Sequence, residues 1–164
     1  MELIKIFKHS IALPKKQAVF WLNRVSMRDT LVYIFLLIFV LYLPEGYALA
    51  FQKNLLLDSD LRSVFILQSI TFYPMYVIFT GLVVISALAA GALLMARLLH
   101  RKLAFQHLWK MTAFALTLPL IIYTAIKLTG WGNGYLVLLL LVGLYLILYK
   151  MITVYPKRKK QSSR

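Results

Sequence analysis

The sequence contains no cysteine, which excludes disulfides, thiol nucleophiles and thiolate metal sites. Acidic residues are almost as scarce, with five Asp and Glu against 19 Lys and Arg in 164 residues. Paired carboxylates for acid–base chemistry or for a hard cation therefore have little to be built from. Charge of either sign amounts to 15% of the chain, whereas a soluble domain averages about a quarter. Walker loop, HExxH and nucleophile-elbow patterns are also missing. No enzyme activity, cofactor or metal is expected. The formal charge of +14 would suit nucleic acid, but the basic residues flank apolar runs instead of lining a polar face, so nucleic acid is not an expected partner.

What the chain has is apolar surface: 62% of residues are hydrophobic and the mean hydropathy is +0.79. The organising stretch is FYPMYVIFTGLVVISALAAGALLMA, 25 uncharged residues from Phe72 to Ala96 that close on Arg97. As a helix it would cover about 37 Å, more than the ~30 Å hydrocarbon core of a bilayer. Around it the chain reads as an all-α membrane protein: four transmembrane helices with an N-terminal interfacial amphipathic helix. The expected spans are residues 30–51, 72–96, 110–127 and 134–154, together forming a membrane domain over 29–155. Residues 1–28 are a basic amphipathic segment, 52–70 an external segment and 156–164 a basic tail.

Within 1–28, Lys15, Lys16, Arg24 and Arg28 accompany two short apolar faces separated by Pro14. Such pieces lie in the headgroup zone, as a surface for anionic lipid or a partner, or as a flank that sets topology. Ser26 to Asp29 reads as a capping box opening the first span. Pro44-Glu45-Gly46 then interrupts it. Whether the helix continues, kinked at Pro44, or stops short is left open. Ala48-Leu49-Ala50 has the form of a signal-peptide cleavage site, but the basic region ahead of the apolar run is too long for that reading, and the span is taken as retained. Asp58 and Asp60 are expected to cap a short external helix, since no third acid stands near them for a cation.

In the second span Gly81, Ser86, Ala87, Ala90 and Gly91 put small groups on adjoining turns, which marks this helix as the expected packing hub. Tyr73-Pro74 places a proline in its first turn. The turn after it carries Arg97, Arg101 and Lys102 with His100 and His107, read as solvated histidines. Pro119 is expected to kink the third span by leaving the Ala115 carbonyl without a donor, with neighbouring threonines covering it. Glu45 and Lys127 are the ionisable residues near membrane depth; they pair across the bundle or reach the interface separately. Lys157, Arg158, Lys159 and Lys160 crowd the tail. Sixteen of the 19 Lys and Arg fall on one side of this arrangement, so the positive-inside rule places both termini in the cytoplasm. Anionic lipid headgroups are the expected contacts of these basic residues.

FKHSIALPKKQAVF and DTLVYIFLLIFVLYLP, with the stretch from Arg97 through KMTAFALTLPLIIYTAI and its Thr117-x-Pro119, resemble a Gram-positive integral membrane family of unknown function grouped in the Yip (Ypt-interacting protein) clan. The resemblance implies a multi-pass protein of a bacterial plasma membrane. It also implies a large extracellular insertion after the first span, whose place here is taken by about residues 45–70. Two functions fit the residues. One is a non-enzymatic accessory or scaffold subunit acting through helix packing, with a protein partner or a second copy of the chain. The other is a small carrier or lipid-handling protein, in which Pro44 and Pro119 frame a path for an amphiphile.

Overall fold

The computed structural model describes residues 2–48, 59–101, 103–129 and 134–156. Among them are seven helices, α1 (Glu2–Ile11), α2 (Lys16–Asn23), α3 (Met27–Tyr47), α4 (Ser59–Leu98), α5 (Phe105–Ala115), α6 (Thr117–Leu128) and α7 (Gly134–Thr153). Four stretches are long and apolar enough to cross a membrane: α3, residues Ser63–Leu98 of α4, α5 with α6, and α7.

Local chemistry fixes the starts and breaks. Ser26 caps α3, its Oγ accepting from the Asp29 amide at 3.1 Å and donating to the Asp29 carboxylate at 2.7 Å. The helix passes through Pro44 as far as Tyr47, so the Val40 carbonyl has no amide to accept from. The end of the expected span, residues 49–51, lies outside the described residues. Pro119 divides the third span: α5 ends at Ala115 and α6 begins at Thr117. A proline four residues on removes the donor for the Ala115 carbonyl and crowds it. At the break the Tyr33 hydroxyl of α3 lies 3.0 Å from the Thr117 hydroxyl.

Three features depart from the sequence expectation. First, α4 begins at Ser59, well before Phe72, so most of the expected external segment is helix continuous with the span. Pro74 consequently sits inside the helix, not in its first turn. Asp58 and the side chains of Asp60 and Arg62 lie outside what is described. At 40 residues α4 is about 60 Å long, roughly twice a bilayer's hydrocarbon core.

Second, the expected interfacial helix is a hairpin, α1 and α2 joined through a cis Leu13–Pro14 bond, and it is part of the bundle. Ile6, Ser10, Leu13, Ala18, Val19 and Leu22 are all buried, with α1 against α3, α5 and α6 and α2 against α5. An amphipathic stripe buries its apolar side equally well on lipid or on protein, and here protein takes it. Third, the hub is α5, not α4. Every residue from Leu108 to Ala115 is buried, and 39% of the most apolar stretch of α5 and α6 is buried against 22% of that of α4.

Candidate functional site

The two ends of the bundle differ in chemistry. At one end, here the Glu45 end, α3 and α4 approach closely where Gly46 has no side chain. A Cβ there would stand 2.5 Å from the Tyr73 ring, so the ring lies on the α3 backbone and its hydroxyl donates to the Tyr42 carbonyl at 3.0 Å. Beside this contact a groove of about 670 Å³ runs between α3 and α4 and reaches Leu116 and Leu120 at the α5–α6 break. Tyr42, Glu45, Gln68, Ser69 and Tyr73 line its upper part; Ile38, Val77, Gly81 and Val84 line its depth. Polar side chains are thus more frequent toward the Glu45 end, with Phe65 and Phe72 among them and Thr80 deeper, and the volume is that of a small-molecule pocket, about 300–1,000 Å³.

Glu45 also fixes the neighbouring wall. Lys127 of α6 donates to its Oε2 at 2.9 Å, and the same ammonium stands 5.9 Å from the Tyr123 ring centroid. Both side chains remain about half exposed, 50% and 43%. The pair holds α3 to α6 while leaving carboxylate surface at the mouth.

The small residues of α4 divide between two faces. Ala89, Ala92 and Ala96 are buried together with Ile85, whereas Ala87 and Ala90 are exposed, which corrects their placement in the packing seam. Ala89, Ala92 and Ala96 form the fully buried stripe, while the stripes that carry Ala87 and Ala90 meet other helices only at their ends, through Gly91 and Ser86. Gly91 lies under the Tyr145 hydroxyl of α7, and Gly81 admits Ile38, whose Cδ1 would stand 2.9 Å from an added Cβ. Ser86 accepts from Trp109 Nε1 at 3.2 Å.

At the opposite, basic end Lys15, Lys16, Arg24, Arg28 and Arg97 are exposed. Lys102, Lys157, Arg158, Lys159 and Lys160 lie outside the described residues. Two arrangements here escape a reading of the sequence. Lys110, only 9% exposed as a residue, donates through its ammonium to the Asn23 and Val25 carbonyls at 3.0 and 2.8 Å, closing the open end of α2 as a basic C-terminal cap. Its signal is a lone cation at the head of an apolar span. His100, with φ of 54°, ends α4 in a left-handed turn. Its amide donates to the Arg97 carbonyl at 3.0 Å, and the Arg101 amide to that of Ala96 at 2.9 Å. Those are the two bonds of a Schellman motif, with histidine where glycine is usual.

Among the described residues no three His, Asp or Glu side chains stand together as metal ligands. No curated protein and no solved structure matches the chain. A family model does match residues 51–155, a stretch that includes α4 to α7 and the Thr117-x-Pro119 break but begins after α3. On that match the chain belongs to the family described as "Protein of unknown function (DUF1189)".

Proposed function

We propose that this is a non-enzymatic integral membrane protein that holds a lipid or similar amphiphile in the groove between α3 and α4. The groove carries the reading. If the four spans lie in a bilayer, hydrocarbon surrounds the groove and a chain from it fills the apolar depth formed by Ile38, Val77 and Val84. The hydroxyls of Tyr42 and Tyr73 and the Glu45 carboxylate then meet a polar head at the interface, where amphipathic rings settle. With 16 of the 19 Lys and Arg on the other side, the mouth faces outward and both termini face the cytoplasm. The family resemblance supports a Gram-positive plasma membrane and kinship with the Yip clan.

Thr80 lines the groove, and Thr80→Trp would fill it without touching the buried seam. Native mass spectrometry of the chain in mild detergent should show a co-purifying amphiphile on the wild type and its loss from the variant. Equal occupancy in both would overturn the reading.

An accessory-subunit role is favoured by a different observation: Ala87 and Ala90 offer a flat, exposed stripe on α4 where another helix could approach. A stoichiometric protein in the same spectra, lost on Ala87→Leu/Ala90→Leu, is the expected sign of that role; a lone chain from native membranes would remove it.

A further inference from the structure

The left-handed turn at His100 folds the chain back over the end of α4, and a second cavity, of about 570 Å³, opens beneath it. Its walls are unlike. Arg97, His100 and Arg101 supply one; Leu93, Leu103 and Phe105 supply the other. Arg101 Nε is buried and has no hydrogen-bond partner among the described residues. A guanidinium is always charged and carries five donors, and a buried donor left unpaired is costly. Among the described residues no carboxylate lines this cavity. Two arginines therefore share a pocket in which no counter-ion stands among the described residues, and an apolar wall stands beside them.

We propose that this cavity binds the headgroup of an anionic phospholipid. Arg97 and Arg101 take the phosphate oxygens, for which the planar guanidinium fork is suited, and Leu93, Leu103 and Phe105 cover the start of an acyl chain. The cationic wall selects an anion and the apolar wall selects one attached to hydrocarbon. The site rests on the chain being a membrane protein and is independent of the groove at the Glu45 end.

The test is a titration of the full chain, in mild detergent, with phosphatidylglycerol and with phosphatidylcholine of the same acyl chains, read by native mass spectrometry. Phosphatidylglycerol should bind about tenfold more tightly or better: the phosphodiester is common to both lipids, but the choline of phosphatidylcholine brings a further cation against Arg97 and Arg101. Arg97→Gln/Arg101→Gln should abolish the preference, while Thr80→Trp, at the other end, should keep it. Should the double variant not fold, Arg97→Gln alone, at an exposed side chain, should reduce the preference several-fold. Equal binding of the two lipids by the wild type would overturn the proposal, as would a preference that survives in a folded variant. Full displacement of phosphatidylglycerol by millimolar inorganic phosphate would overturn it too, since the ligand would then be a soluble anion.

Discussion

Two residues at the basic end show how single side chains hold this fold together. Lys110 is a buried cation whose partners are carbonyls, not carboxylates. Its charge is stabilised by two orphan acceptors at the end of α2 and by the helix dipole. Lys110→Met keeps the volume and removes both bonds, so the Asn23 and Val25 carbonyls lose their donor. Hydrogen bonds to charged groups contribute about 1.5–3 kcal/mol. We expect the variant to melt earlier and, in hydrogen-exchange mass spectrometry, to lose protection across α1 and α2 first; unchanged exchange there would remove Lys110 from this role. His100 makes a backbone argument. A left-handed residue other than glycine costs about 1–2 kcal/mol, and a β-branched one is worse placed than histidine. His100→Gly should therefore melt at or above the wild type, and His100→Val below it by about 1 kcal/mol or more relative to the glycine variant.

Elements show which parts of the fold are legible in the sequence and which are not. All four spans are readable as apolar runs because hydrocarbon-length hydropathy is a property of composition. The start of α4 is hidden because Lys53, Asp58, Asp60 and Arg62 lower the hydropathy ahead of Phe72, while a helix continues through such residues once it has left the apolar region. The seam on α4 is hidden for a different reason: Ala87 and Ala89 point to different sides of the same small-residue surface, and no pattern in one helix says which side its neighbours occupy. For the hairpin, the stripe is visible but not what covers it. The central place of α5 is hidden because a helix buried all round has no polar face to mark its orientation. Of the candidate site, Glu45 and Pro119 are legible as intrusions in apolar runs; Tyr73 lying on Gly46 is not, since that contact joins two helices. Gly91 and Ala87, one turn apart on α4, make a sharp pair of variants. Gly91→Leu drives a side chain into Tyr145 and should cost about 1–3 kcal/mol by overpacking, whereas Ala87→Leu, on the exposed side, should shift stability by less than about 0.5 kcal/mol. Thermal unfolding in one detergent measures both, and equal losses would mean that Ala87 is covered as Gly91 is.

At the scale of the molecule the two ends are chemically opposite, and the proposed orientation in the membrane rests on that opposition. The α1–α2 hairpin and Arg97 to Arg101 lie at one end of the bundle, Glu45 and Lys127 at the other. All five acids fall within the first 60 residues, so nothing acidic in the second half of the chain offsets the arginines that follow α4. Arginine and lysine beside a span resist translocation, whereas acids contribute little to orientation. A helix of about 60 Å such as α4 cannot fit within hydrocarbon of ~30 Å. In the proposed arrangement, with Arg97 at the basic interface, its excess length emerges with Ser59 at the Glu45 end or is taken up by tilt. The absence of native cysteine makes both points directly measurable, because a single introduced thiol reports without background. Cysteine placed at Lys16 or His100 should react with a membrane-impermeant maleimide only after cells are opened, and cysteine at Lys127 or Leu61 should react in intact cells. Labelling of Lys16→Cys from outside would reverse the orientation. Protection of Leu61→Cys in opened cells as well as in intact ones would instead mean that the first turns of α4 tilt into the bilayer, taking the mouth of the groove with them.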